Sequence, residues 1–168
     1  LMSKFDIPVH ELTRRPGHTS QLELNIDLDD AMGQGAATVP AGAKIEVDLR
    51  LESIHEGVLA TGEVFTKATS LCSRCLEPLE LEVEVDFQEL FAYSLEQEDD
   101  FLIQDEKINL EQAITDAVVL SLPFKPVCSE DCLGLCSECG LNFSQDPNHV
   151  HEASIDSRWS GLESFRKE

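Results

Sequence analysis

The stretch Leu79-Glu80-Leu81-Glu82-Val83-Glu84-Val85-Asp86-Phe87 alternates apolar and acidic residues without a break. Successive side chains of an extended chain point to opposite sides, so this pattern makes a strand with one dry and one wet face. A helix is excluded, because a 3.6-residue period would spread the carboxylates around the whole cylinder. The same alternation runs through Leu22, Leu24, Ile26 and Leu28, with Glu23, Asn25, Asp27 and Asp29 between them. Two glycines in Ala31-Met-Gly-Gln-Gly-Ala36 interrupt it, and it resumes at Ile45, Val47, Leu49 and Leu51. Gly57 predicts the next turn. Residues 58–70, rich in β-branched types, predict a further strand with a bulge at Gly62. No helical crossover separates these strands, which argues for antiparallel pairing in a sheet or small open barrel.

Beyond Tyr93 the composition changes. Residues 96–108 form an acidic connector containing Glu96, Glu98, Asp99, Asp100, Asp105 and Glu106, with a short strand at Phe101, Leu102 and Ile103. Asn109 followed by Gln112 predicts a capping box, opening a helix over 109–122. Its apolar face is Leu110, Ile114, Ala117, Val118, Leu120 and Leu122, and Pro123 and Pro126 end it. Asp156 predicts the cap of a last helix carrying Trp159, Leu162 and Phe165. The fold class expected is α+β, with no internal repeat. Residues 1–95 make an antiparallel β domain with a basic N-terminal arm and the first cysteine pair; residues 109–168 hold the helix, a cysteine-rich module and the final helix.

The chain has 168 residues, with 33 Asp+Glu against 12 Lys+Arg, a net charge of −21 and 42% apolar residues. It is long enough to bury a core and apolar enough not to be disordered by composition. Such an anionic body is repelled by nucleic-acid phosphate unless a local basic patch or a metal offsets it, and matches a basic protein more easily. No run approaches the ~20 apolar residues of a membrane span, and the start lacks a charged-then-apolar secretory pattern, so a cytoplasmic location without a membrane partner is expected.

All six cysteines fall in two places, Cys72-Ser-Arg-Cys75 and Cys128-x3-Cys132-x3-Cys136-x2-Cys139, with His149 and His151 downstream. Thiolates two residues apart can both reach ~2.3 Å from a tetrahedral Zn²⁺, and two such pairs close a structural site. Buried thiols seldom cluster at this spacing, and disulfides are disfavoured in a reducing compartment. The eight ligands suit one or two zincs. Either Cys128, Cys132, Cys136 and Cys139 hold one ion alone, or Cys72 and Cys75 join Cys128 and Cys132 while Cys136 and Cys139 take His149 and His151. A redox role for Cys72 and Cys75 would need a strand-to-helix context that their flanks do not offer. Catalysis is not expected. His151-Glu152 lacks deaminase spacing, and no phosphate-cradling loop, nucleophile elbow or small-molecule substrate site is evident.

Taken in order, Cys72-Ser-Arg-Cys75-Leu-Glu-Pro78, the acidic strand to Phe87, Leu122-Pro-Phe-Lys-Pro126 and the Cys128 to Gly140 cluster resemble the YceD-like family. The resemblance runs from about Leu12-Thr-Arg-Arg-Pro-Gly17 to Trp159. Members are described as large ribosomal RNA subunit accumulation proteins, or as predicted metal-binding and nucleic-acid-binding proteins. The resemblance implies a bacterial cytoplasmic factor needed for normal levels of large-subunit ribosomal RNA, with no catalytic residues to carry over. Many relatives have Cys-x-Cys where this chain has His149-Val-His151, a change that preserves ligand chemistry.

Two kinds of partner follow. Ribosomal RNA or a pre-ribosomal particle would meet Arg14 and Arg15, helped by Lys4, His10 and His18, together with Lys67 and Arg74 beside the first cysteine pair. A basic ribosomal protein would instead meet Glu80, Glu82, Glu84 and Asp86. Against these stand plainer uses: a solvated turn at Arg14-Arg15, and an acidic face that keeps the sheet soluble.

Overall fold

The computed structural model describes residues 3–94, 101–151 and 158. Its centre is a hairpin of two 15-residue strands, β5 (Gly57–Leu71) and β6 (Pro78–Ala92), paired without interruption from Gly57 opposite Ala92 to Leu71 opposite Pro78. At ~3.3 Å per residue each arm is roughly 50 Å long. β4 (Lys44–Ser53) and then β2 (Thr19–Asp27) add antiparallel strands to the β5 side. β3 (Ala37–Thr38) pairs with β5 near the hairpin tip. β7 (Phe101–Leu102) lies beside β6 in parallel, an exception to the expected antiparallel order. The strand order is β2-β4-β5-β6-β7, and its outer members do not pair with each other, so the architecture is an open sheet rather than a barrel.

The inner face carries the alternating apolar set, including Ile45, Val47, Leu49, Leu51, Val58, Val64, Phe87 and Phe91. It is covered by α1 (Glu111–Ser121) and by the N-terminal segment. Phe5, Ile7, Val9 and Leu12 are buried there, and β1 (Asp6–Pro8) pairs with β8 (Lys107–Asn109) as a second small sheet. The predicted basic arm is therefore a core-packed element: its apolar positions outweigh its few charges, and Lys4 Nζ is held 2.6 Å from Asp29 Oδ1.

Several local expectations are corrected. Gly62 is not a bulge, since it keeps register with both Leu49 and Phe87. A Cβ there would lie 2.4 Å from the Phe87 ring, so the glycine makes room for an aromatic on the neighbouring strand. The turn expected at Gly57 is present: residues 54–56 join β4 to β5, the Ile54 N–H donates to the Gly57 carbonyl at 2.9 Å, and a Cβ at Gly57 would run into the Phe91 carbonyl oxygen. The helix begins at Glu111, two residues later than expected, with Leu110 in place of Asn109 at the N-cap and no side-chain cap from it. Asn109 Oδ1 accepts the Glu111 N–H at 3.0 Å, while Gln112 donates to Asp116 rather than back to the chain start. Leu110 is fully buried, and that anchor fixes the entry. The buried stripe is Ala113, Ile114 and Val118; at 100° per residue Leu120 lies about 20° from Ala113 but about 120° from Ile114, at the margin of the stripe, and is 82% exposed. Part of the acidic connector and the predicted final helix, with Asp156, Trp159, Leu162 and Phe165, lie outside the described residues.

Candidate metal centre

The first cysteine pair is the tip of the central hairpin. After Leu71 the Cys72 N–H donates to the Glu77 carbonyl at 2.8 Å and the Leu76 N–H donates to the Cys72 carbonyl at 2.9 Å. Leu76 closes this knuckle in the left-handed region, at φ 61°. The second pair repeats the construction. Cys136 N–H donates to the Leu141 carbonyl at 2.7 Å, Gly140 N–H donates to the Cys136 carbonyl at 2.9 Å, and Gly140 takes the left-handed position at φ 73°. Leu135 bridges Asn142 as Leu71 pairs with Pro78. The chain thus contains an internal repeat after all, carried by backbone bonds and hidden because Leu76 stands where the other copy has glycine.

Each knuckle receives a second pair of ligands. Cys72 Sγ lies 3.8 Å from Cys132 Sγ, and Cys75 Sγ lies 3.6 Å from Cys128 Sγ. All four sulfurs are within 4.8 Å of one another. Four bonds of ~2.3 Å directed tetrahedrally set sulfurs about 3.8 Å apart, whereas a disulfide needs ~2.05 Å. The six cysteines are all free, so the spacing fits a metal cage. Cys136, Cys139, His149 and His151 form the other set, also within 4.8 Å. Cys139 Sγ is 3.1 Å from His149 Nε2, which is 2.9 Å from His151 Nε2. The far nitrogen of His151, Nδ1, is 3.4 Å from Glu138 Oε2. A carboxylate on the outer imidazole nitrogen, with Nε2 turned inward, is the usual support for a metal-bound histidine. This grouping is the one that uses all eight candidate ligands.

Thiol acidity follows from the knuckles. The Cys75 N–H, then those of Arg74 and Cys128, outweigh burial and bring the Cys72 thiol down to about 6. The Cys139 and Glu138 N–H groups bring Cys136 down to about 6. Cys128 is raised, foremost by its Cys132 neighbour, and Cys132 is raised foremost by burial. Each cage thus holds one ready thiolate, and a dication would offset the repulsion among the rest.

The two knuckles are stitched together. Ser73 N–H donates to the Pro126 carbonyl at 2.8 Å, and Leu135 N–H to the Arg74 carbonyl at 3.1 Å. Arg74 Nη1 reaches the Glu130 and Cys132 carbonyls at 2.9 and 3.0 Å. Gly134, at φ +81°, packs so closely that a Cβ would lie 3.1 Å from the Arg74 carbonyl oxygen. The roles of Arg74 and Glu138 were not read from the sequence. Their signal was position alone: one residue before Cys75 and one before Cys139.

Arg14, Lys67 and Arg74, named for RNA, do not share a surface. Arg14 sits at the open end of the hairpin, where its N–H donates to Tyr93 Oη at 2.7 Å, while Arg74 is at the tip. The two are separated by most of the ~50 Å arm. Lys67 lies between them, paired with Glu80 at 2.7 Å. Glu80, Glu82, Glu84 and Asp86 do share one exposed face of β6. Among the described residues no helix is long and apolar enough to cross a membrane.

The family described as large ribosomal RNA subunit accumulation protein YceD matches residues 60–166, a span that holds both ligand sets. Uncharacterized proteins of Mycobacterium tuberculosis and Mycobacterium bovis are 41% identical over 167 residues, covering 95% of this chain and 80% of theirs. One from Mycobacterium leprae is 38% identical over 169 residues, covering 96% of this chain and 77% of its own. No solved structure matches. With a match over residues 60–166, well over half of its length, the chain belongs to the YceD family.

Proposed function

We propose that the protein is a non-enzymatic, cytoplasmic zinc-binding factor of large ribosomal subunit biogenesis, needed for large-subunit ribosomal RNA to accumulate. It engages ribosomal RNA or a pre-ribosomal particle with the metal end of the molecule. The observation that carries this reading is the pair of four-ligand sets at one end of the sheet, each shaped for a tetrahedral ion. Zinc fits the donor chemistry, two thiolate-rich closed sets without a free position, which is the pattern of structural and not catalytic ions.

The surface around those ligands supports a docking role. Leu71, Leu76, Phe124, Val127, Leu133 and Val150 are exposed large apolar residues, each within four positions of a ligand, and Phe124 is 93% exposed. Exposed apolar residues gathered along the segments that carry one site favour an interaction role for that site. The metals would hold this rim in shape without taking part in any reaction.

The test is complementation. In cells depleted of the endogenous protein, the wild type should restore the ratio of large- to small-subunit ribosomal RNA and co-sediment with large-subunit precursors. Cys72→Ser/Cys75→Ser should do neither. Full restoration by that variant, with its metal lost, would overturn the proposal.

A further inference from the structure

The outer face of the sheet, turned away from the core, is unlike an ordinary soluble surface. Cross-strand register places Glu23 opposite Asp48, Asp48 opposite Glu63, and Glu63 opposite Asp86, one unbroken row of carboxylates over four strands. Like charges set directly opposite on a sheet destabilise it. Accordingly the Glu63 carboxyl is pushed above the usual range, first by partial burial and then by Asp86 and Glu84. Beside this row runs another, Asn25, Glu46, Phe65 and Glu84, with the aromatic ring between two acids. Phe65 is half-buried in a cleft of about 500 Å³ whose walls include Pro40, Ala43 and Val83.

Solubility does not account for this arrangement. Interspersed signs keep a surface wet without opposed like charges, and edge protection needs charge only on outer strands. Here Glu46, Asp48 and Glu63 lie on β4 and β5, which are paired on both sides at these positions, as well as on β6, which is the sheet edge from Glu80 to Asp86, and an aromatic lies among them. The bases on the same face are already engaged in part: Lys67 with Glu80 at 2.7 Å and Arg50 with Glu52 at 3.6 Å.

We infer that this outer sheet face is a docking surface for a lysine- and arginine-rich protein segment in extended conformation, with one apolar side chain seated over Phe65. Charge complementarity commits the occupant. Carboxylates attract ammonium and guanidinium groups and repel RNA phosphate. The spacing agrees as well: same-face residues of a strand recur every ~6.8 Å, the repeat of alternate side chains in an extended peptide, so successive basic residues can meet Glu80, Glu82, Glu84 and Asp86 in turn. This surface runs from Glu80, near the hairpin tip, to Asp86, about 20 Å farther along the strand, and contains none of the candidate metal ligands, so its assignment stands independently of the metal.

The experiment uses the full chain and a fluorescent peptide of about twelve residues with lysine at every second position and one central leucine, read by anisotropy at two salt concentrations. Glu82→Gln/Glu84→Gln/Asp86→Asn should weaken binding about tenfold, and Phe65→Ala several-fold, with the charge effect shrinking at high salt. Glu11→Gln/Asp30→Asn/Glu56→Gln removes the same charge elsewhere and should change affinity less than threefold. Equal loss in both triple variants would mean that net charge alone attracts the peptide, and would overturn the inference. So would tighter binding of a single-stranded RNA of about twenty nucleotides at the same face, lost in the first triple variant. Circular dichroism checks that each variant keeps the sheet.

Discussion

Replacing Arg74 with alanine separates two roles that its charge alone leaves open. The guanidinium donates to the Glu130 and Cys132 carbonyls at 2.9 and 3.0 Å, closing the loop that delivers Cys132 to the first ligand set. A charged hydrogen bond contributes about 1.5–3 kcal/mol when shielded; Arg74 is exposed, so roughly 0.5–1 kcal/mol each is the fitting scale. Loss of both leaves the loop looser by about 1–2 kcal/mol, which corresponds to a roughly 5- to 30-fold weaker first site. Competition against a chelator of known zinc affinity reads this directly, and the second site should change little. Arg74→Lys should recover only part of the loss, because an ammonium cannot present the planar fork that spans two carbonyls. The reasoning is refuted if Arg74→Ala keeps full zinc affinity while losing association with ribosomal RNA, the behaviour of a phosphate contact.

Phe91→Ala empties a fully buried position where β6 meets β7 and should cost about 3–5 kcal/mol in urea unfolding; a loss below ~1 kcal/mol would mean the site collapses freely. Gly57→Ala drives a methyl into the Phe91 carbonyl oxygen, 2.0 Å away, and should destabilise by about 1–3 kcal/mol or more; a neutral result would show that the hairpin's open end can shift. Glu63→Gln should stabilise the protein at neutral pH. The folded-state value is raised, so the charged carboxylate opposes folding above it, and protonation removes that penalty. The advantage should fade as the pH falls from neutral through the raised value toward about 4, and an advantage independent of pH would contradict the opposed-carboxylate account.

How much of this was legible in the sequence depended on the range of the forces involved. Period-2 alternation at Leu22–Leu28, Ile45–Leu51 and Leu79–Phe87 is local, and it marked strands that the sheet contains. The cysteine spacing marked candidate ligands, but not which pairs would converge. That depends on Ser73 meeting Pro126 and on the Arg74 bonds, contacts between segments more than fifty residues apart. Gly62 looked like a bulge because its reason, the Phe87 ring, sits on the next strand. Strands as short as β1 and β8 have too few residues to show a period; they form because Ile7 and Ile108 bury together. Leu120 was misplaced because it sits at the margin of the apolar stripe, near Ala113 in angle but in the last turn of the helix, and the repeated knuckle was masked by Leu76 in a conformation that favours glycine.

The metal content of the purified chain, measured by native mass spectrometry without added zinc, tests the central claim most directly. The account predicts two zinc ions per chain, with one remaining in each of Cys72→Ser and Cys136→Ser, because the ligand sets are separate. A wild-type protein free of metal that stays folded in strong chelator and reductant would contradict it, as would a Cys72→Ser chain that keeps its full zinc.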